Sequence, residues 1–61
     1  MLDPMELTYL TGKTSFKNTL LGYFMYVKET GGIRVYRKNK QNSWEISGFI
    51  NNKNMDRIIN K

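Results

Sequence analysis

A cluster of basic side chains is the feature of this chain whose residue types and spacing best fit a particular chemistry. Four basic residues fall within seven positions, namely Arg34, Arg37, Lys38 and Lys40. The nearest acidic residues are Glu29 before the cluster and Glu45 after it, so the cluster creates a local positive field. Because such side chains neutralise phosphates and release their counterions, the cluster predicts a surface that binds a polyanion.

Tyrosines lie within this cluster and shortly before it. Exposed rings stack on unpaired bases, and each contact of this kind contributes about 1 to 3 kcal/mol. The predicted nucleic-acid-binding residues are therefore Arg34, Tyr36, Arg37, Lys38, Lys40 and Tyr26. A purely structural interpretation stays open, because basic residues also protect edge strands against aggregation and half-buried tyrosines with wet hydroxyls are common.

The chain offers few groups for catalysis. It contains no Cys and no His, so the commonest metal ligand, general base and thiol nucleophile are missing. Its carboxylates are widely spaced along the chain, at Asp3, Glu6, Glu29, Glu45 and Asp56. The run 12–14, Gly-Lys-Thr, matches the end of the Walker A phosphate loop, but that pattern requires a glycine where Leu7 stands. We therefore predict a non-enzymatic protein without a metal or a cofactor.

Length and charge set further expectations. The 61 residues predict one domain, residues 1–61, with a small core and marginal stability. Ten Lys and Arg against five Asp and Glu give a net charge of +5, which favours phosphates or acidic proteins as partners. The seven Asn and seven Lys indicate a coding bias toward A and T, as in low-GC bacteria and their phages, so a phage or mobile-element origin is an expectation.

The sequence predicts neither a membrane span nor a secretory signal. The longest apolar run, Leu20 to Val27, is far shorter than the roughly 20 residues that cross a bilayer. The stretch Met1 to Glu6 carries Asp3 and Glu6 ahead of any apolar run, which is the wrong charge and order for a signal peptide. We therefore expect a cytoplasmic protein with no membrane partner.

The elements that would position the basic cluster begin with an N-terminal helix. Asp3 is placed to be its N-cap, Pro4 its first residue and Glu6 a capping-box partner. The pattern predicts a helix from about residue 4 to residue 11 that ends at Gly12, where a glycine suits the left-handed C-terminal position.

Two further details accompany this helix. Leu2 and Leu7 are spaced as a hydrophobic staple. A β-hairpin from Leu7 to Phe16 is the alternative, because this stretch is rich in Thr and aromatic residues. If the helix forms, the segment Thr14 to Thr19 is a polar connection.

Leu20 to Lys28 and Ile33 to Lys38 are predicted to form a β-hairpin around the glycines between them. A three-residue loop would place Tyr23, Met25, Val27, Ile33 and Val35 on one face, and would leave the other face to Phe24, Tyr26, Lys28, Arg34, Tyr36 and Lys38. A two-residue loop would exchange the faces of the first strand only, because side chains alternate with a period of two. In both registers Arg34, Tyr36 and Lys38 share the face opposite Ile33 and Val35.

A third strand and a second helix complete the prediction. The alternation from Trp44 to Ser47 predicts a strand with Trp44 and Ile46 facing inward, so that the single Trp anchors the core. Asn51 is placed to cap a C-terminal helix whose apolar stripe is Met55, Ile58 and Ile59.

The predicted fold class is α+β, as a small single domain in which a three-stranded antiparallel sheet carries a short N-terminal helix and a C-terminal helix on one face. The alternative is a small SH3-like β-barrel with a C-terminal helix. The predicted function is that of a small nucleic-acid-binding accessory protein that uses a basic, aromatic-bearing sheet face. The alternative is a protein-binding modulator that acts through an exposed sheet edge or as a homodimer.

Overall fold

Four strands and two helices make up the computed structural model, which describes residues 3–60. In chain order they are α1 (Pro4–Thr11), β1 (Ser15–Thr19), β2 (Gly22–Glu29), β3 (Gly32–Lys38), β4 (Trp44–Asn51) and α2 (Asn52–Ile59). The strands form one antiparallel sheet in the order β1-β2-β3-β4, so each strand pairs with its neighbour in the chain. The α+β class is confirmed. The expectation of three strands was wrong, and so was the barrel alternative, because the sheet is open.

The strand that the sequence did not predict is β1. The segment Thr14 to Thr19 was expected to be a polar connection, yet five of its residues pair with β2, with Phe16 opposite Met25. An edge strand needs little apolar character, because its backbone pairs on one side only and many of its side chains are exposed to solvent. The Thr19 hydroxyl accepts a hydrogen bond from the backbone N–H of Leu21 and so orders the two-residue turn to β2.

The first helix forms as its capping residues predict. Asp3 Oδ2 accepts a hydrogen bond of 3.1 Å from the backbone N–H of Met5, and Pro4 is the first helical residue. Gly12 ends the helix with φ 79°, a conformation that costs glycine little. The staple partner Leu2 lies outside the described residues. The alternative hairpin over this segment was wrong.

A two-residue turn sets the register of the central hairpin. Thr30 and Gly31 join β2 to β3, Gly31 has φ 93°, and Tyr26 pairs with Val35. The register with a three-residue loop was therefore wrong, and the faces of β2 are those of the two-residue alternative. Tyr26 lies on the same face as Ile33.

Both helices pack on the sheet face that carries Ile33 and Tyr26. Ile33, Tyr26 and Met55 are buried, and these core residues are surrounded by partly buried side chains at Met5, Tyr9, Phe24, Val35, Ile50, Ile58 and Ile59. The stripe predicted for α2 is thus confirmed, as is its N-cap, because the Asn51 side-chain oxygen accepts from the N–H of Asn54 at 2.8 Å. Eight residues of helix are too few to persist alone, so contact with the sheet stabilises α2.

A β-bulge in β4 reverses the orientation of the first half of that strand. Val35 pairs with Gly48, but the next residue, Tyr36, pairs with Ile46, so Ser47 is the extra residue. Trp44 and Ile46 therefore lie on the face away from the helices. The expectation that they face the core was wrong, because it assumed unbroken alternation through Ser47.

Among the glycines of the sheet, Gly32 has the least space for a side chain. A Cβ atom on Gly32 would lie within clashing distance of the Ile50 carbonyl oxygen and 2.8 Å from the Asn51 Cα. Gly32→Ala should destabilise the protein by about 1 to 3 kcal/mol, because β4 would have to move away from β3. Urea unfolding measures the change, with Gly48→Ala as the matched control, since a Cβ there meets nothing within 4 Å. Equal losses in the two variants would contradict this account.

The ion pair between Asp3 and Lys17 should make stability depend on pH. Lys17 Nζ lies 2.7 Å from Asp3 Oδ1, and this hydrogen bond lowers the pKa of the Asp3 carboxyl below its usual value of 3.8. A carboxyl whose pKa falls on folding stabilises the fold above its unfolded pKa and loses this effect as the pH falls through the folded pKa. Asp3→Asn keeps the capping oxygen but removes the charge, so it should be less stable than the native protein at neutral pH only.

Urea unfolding of both proteins at a series of pH values checks this expectation. The difference in the free energy of unfolding should shrink as the solution is acidified below the usual carboxyl pKa. Asp3→Ala is the companion variant, and it should cost a further 0.5 to 2 kcal/mol, roughly, because it also removes the N-cap. If the difference in the free energy of unfolding between the native protein and Asp3→Asn stays constant with pH, the ion pair does not have this role.

Candidate functional site

The sheet face turned away from the helices, called the open face below, carries most of the exposed rings and two basic residues. Its members follow from the strand pairing and are Phe16, Asn18, Tyr23, Met25, Val27, Glu29, Arg34, Tyr36, Lys38, Trp44, Ile46 and Phe49. Two of these residues show how open the face is, since Ile46 is 65% exposed and Phe16 48% exposed. An apolar sheet face exposed to this extent is unusual in a monomer and marks a surface for a ligand or a partner.

Three of the predicted site residues share the open face. Arg34 pairs with Val27 and Tyr36 pairs with Met25, while Lys38 pairs with Trp44 in β4. Their side chains therefore point to the same side, as the alternation predicted. Tyr36 is half-buried between its strand neighbours.

Lys38 lies beside a cluster of aromatic rings near one end of the open face. Its Nζ is 5.2 Å from the centroid of the Trp44 ring and 5.7 Å from that of Tyr23. The centroids of these two rings are 5.5 Å apart, and Phe16 lies 5.9 Å from Tyr23 and 6.0 Å from Trp44. We call Phe16, Tyr23 and Trp44 the aromatic triad. A cation within about 6 Å of a ring is attracted by the negative face of the ring, so Lys38 is held close to the triad.

Arg34 is the second cation on the open face, and it is already bonded. Its Nε lies 3.1 Å from one Glu29 carboxylate oxygen and 3.2 Å from the other, and its guanidinium carbon lies 5.0 Å from the Phe49 ring centroid. The hydrogen bonds to Glu29 raise the pKa of Arg34 above its ordinary value. A ligand phosphate would therefore have to compete with Glu29 for this guanidinium.

The other two predicted cations lie at the end of the sheet beside the β3–β4 turn. Arg37 pairs with Phe24 and Glu45 and so projects on the helix side, where its exposed side chain lies over Gly22. Lys40 is exposed in the turn. Together with Lys38, Asn39 and Glu45 they line a shallow pocket.

Asn39 organises this turn. Its side-chain oxygen accepts hydrogen bonds of 2.9 Å from the backbone N–H groups of Gln41 and Ser43. Its side-chain nitrogen donates to Glu45 Oε1 at 2.8 Å, which fixes the carboxylate on the pocket wall. These hydrogen bonds order the backbone of the turn that carries Lys40. They involve neither the Lys38 nor the Lys40 ammonium group.

Tyr26 lies apart from the other predicted site residues. It belongs to the face that the helices cover, and only 9% of it is exposed. Burial raises the pKa of its hydroxyl, and the Thr8 hydroxyl lies 3.5 Å from its backbone oxygen. The ring has no free surface on which a base could stack, so we leave Tyr26 out of the proposed interface.

The structure adds residues that sequence reasoning placed elsewhere. Trp44 was assigned to the core, Phe16 to a connection, and Tyr23 to the face of Ile33. One signal was available for Tyr23, because the two-residue register puts it beside Lys38. The glycine at position 48 was a weak signal for the bulge that turns Trp44 outward.

Carboxylates are distributed unevenly between the two sides of the sheet. Asp3 caps α1, Glu6 and Asp56 lie on the helices, and Glu45 projects with Arg37. The only carboxylate on the open face is Glu29, which is bonded to Arg34. Among residues 3–60, the open face therefore has cations but no uncompensated acidic group.

Two other kinds of site are absent from the part of the chain that the structure describes. It contains no group of three or more acidic, His or Cys side chains placed to hold a metal ion. Neither α1 nor α2 has the length and apolar character of a bilayer-crossing helix.

No protein-family model, curated protein or solved structure matches this chain.

Because one face of the sheet is covered and the other is open, replacing Ile by Ala should lower the free energy of unfolding by different amounts on the two faces. Ile33 is fully buried against the helices, whereas Ile46 is 65% exposed on the open face. Ile33→Ala should lower the free energy of unfolding by about 2 to 5 kcal/mol. Ile46→Ala should cost less than about 1 kcal/mol, because it leaves no cavity. Urea unfolding compares the two variants, and a similar cost for both would mean that the open face is covered.

Proposed function

We propose that this protein is a small non-enzymatic nucleic-acid-binding accessory protein whose open face and β3–β4 turn contact the nucleic acid. The observation that carries the proposal is the combination of cations and aromatic rings on one face of the sheet. Lys38 lies 5.2 Å from the centroid of the half-buried Trp44 ring and 5.7 Å from that of the exposed Tyr23 ring. Glu29, the one carboxylate among the described residues of this face, is neutralised by Arg34. A polyanion that approaches the open face meets cations and rings without uncompensated negative charge, and at the β3–β4 turn it meets the cations of Arg37, Lys38 and Lys40 beside the single carboxylate of Glu45.

Among the described residues, the helix side offers a nucleic acid both charges but no exposed ring. Glu6 lies on α1, and Asp56 on α2 accepts a hydrogen bond from the Tyr9 hydroxyl at 2.9 Å. Lys17 on this side is already bonded to Asp3. Lys28, Lys53 and Arg57 also lie on this side, so charge alone does not distinguish the two sides. The open side is favoured because the exposed rings of Phe16, Tyr23 and Phe49 all lie there.

The four predicted cations should contribute unequally to phosphate binding. Lys38, Lys40 and Arg37 make none of the salt bridges found among the described residues, so each is available to a phosphate oxygen. Arg34 would first have to weaken its bonds to Glu29. We therefore expect the main phosphate contacts at Arg37, Lys38 and Lys40.

A protein partner or a second copy of this chain is the alternative occupant of the same face. The exposed side chains of Ile46 and Phe49 favour it, because they would be buried in an apolar interface. Addition of a strand at an edge is less favoured, because β1 has five residues and the bulge at Ser47 distorts β4. The net charge of +5 works against pairing two identical copies.

Removing one phosphate-binding cation should weaken nucleic-acid binding and its dependence on salt. Fluorescence anisotropy with a labelled oligonucleotide, repeated over a range of salt concentrations, measures both. For Lys38→Gln, Arg37→Gln and Lys40→Gln, the slope of log affinity against log salt should fall by about 0.7 to 0.9 for each lost contact.

Lys53→Gln is the matched control, because Lys53 is exposed on α2 and its loss changes the net charge equally. This variant should keep the native slope. A native protein that binds no nucleic acid at low salt, or binds it with an affinity indifferent to salt, would overturn the proposed function.

A further inference from the structure

The aromatic triad forms one compact cluster of rings to which three of the four strands contribute. Phe16 comes from β1, Tyr23 from β2 and Trp44 from β4, and all three ring centroids lie within 6.0 Å of one another. Lys38 of β3 completes the row between Tyr23 and Trp44. A sheet that concentrates its exposed rings beside a cation presents what base stacking and phosphate neutralisation require together.

The shape of this surface does not favour insertion into the major groove of a double helix. The major groove is about 12 Å wide and admits a helix or a two-stranded ribbon. The open face has four strands, which span about 14 Å between the outer strand axes before side chains are added. Both helices of residues 3–60 pack on the opposite face, so neither can enter a groove from this side. Rings on such a face stack most easily on bases that are already unpaired, because inserting them between paired bases costs a few kcal/mol, roughly, per unstacked step.

We propose that the open face selects single-stranded nucleic acid, with unpaired bases stacked on Phe16, Tyr23 and Trp44. Lys38 contacts the phosphate that links the stacked nucleotides, and Arg37 and Lys40 bind the strand where it leaves the face at the β3–β4 turn. This inference rests on the proposed function and adds to it the class of nucleic acid. Stacking is tolerant of sequence, because every base has a π-face, so the selection is for strandedness.

The single tryptophan of the chain makes the inference directly measurable. Because Trp44 belongs to the triad, its fluorescence reports stacking without any label. The ligands are a single-stranded oligothymidylate of about ten nucleotides, a duplex of the same length, and inorganic polyphosphate, all at one low salt concentration. The single strand should quench Trp44 and bind at least tenfold more tightly than the duplex, whereas polyphosphate should bind without quenching.

A variant of the triad tests the stacking contact itself. Tyr23→Ala should weaken single-strand binding by about 5- to 150-fold, the range that corresponds to the loss of one stacked base. Leu10→Ala is the control, because Leu10 is an exposed apolar residue on α1, outside the open face. This control should bind as the native protein does. Far-ultraviolet circular dichroism and urea unfolding establish that both variants remain folded.

The outcomes separate this inference from the function on which it rests. Equal binding of single strand and duplex with no quenching overturns selection for single strands and leaves nucleic-acid binding intact. No binding of either ligand overturns both. Concentration-dependent self-association that Ile46→Ser abolishes, without any response to oligonucleotide, assigns the open face to a second copy and also overturns both.

Discussion

Thr30 and Gly31 join β2 to β3 in a two-residue turn, and the positions of the side chains on both strands follow from it. With this turn Tyr26 pairs with Val35, so the even-numbered residues of β2 join the apolar residues of β3 under the helices. The odd-numbered residues of β2, Tyr23 among them, join Arg34, Tyr36 and Lys38 of β3 on the other side. One more residue in the turn would bury Tyr23 and expose Tyr26, because strand side chains alternate. The charge and ring composition of the open face therefore depends on the length of this connection.

The bulge at Ser47 has a comparable effect on β4. Without it, Trp44 and Ile46 would share a face with Ile50, which packs in the core. With it, one strand supplies Ile50 to the core and Trp44 to the open face. The domain thus gains a ring for its aromatic cluster without adding a strand. The second half of β4 still leads into α2 and anchors it. The extent of the open face is a product of this local irregularity.

The sequence was informative where local chemistry decides the structure. Asp3, Gly12 and Asn51 end or begin helices through bonds within a few residues, so both helices were predictable. The shared face of Arg34 and Lys38 was predictable too, because alternation within one strand does not depend on its partners. Trp44 was misplaced since a bulge is a property of pairing between strands, and β1 was missed because an edge strand needs little apolar patterning. The basic half of the candidate site could thus be inferred from the sequence, whereas most of its aromatic half could not.

The simple order of the sheet also bears on how the chain reaches this structure. Successive strands are joined by two, two and five residues, so each pairing closes a short loop and loses little chain entropy. Chains whose contacts are mostly local fold quickly for β-proteins, since hairpins can form one after another. The last segment, α2, depends on a sheet already assembled, because Met55 is buried against it. Folding during synthesis would therefore finish only when the C-terminal helix has left the ribosome.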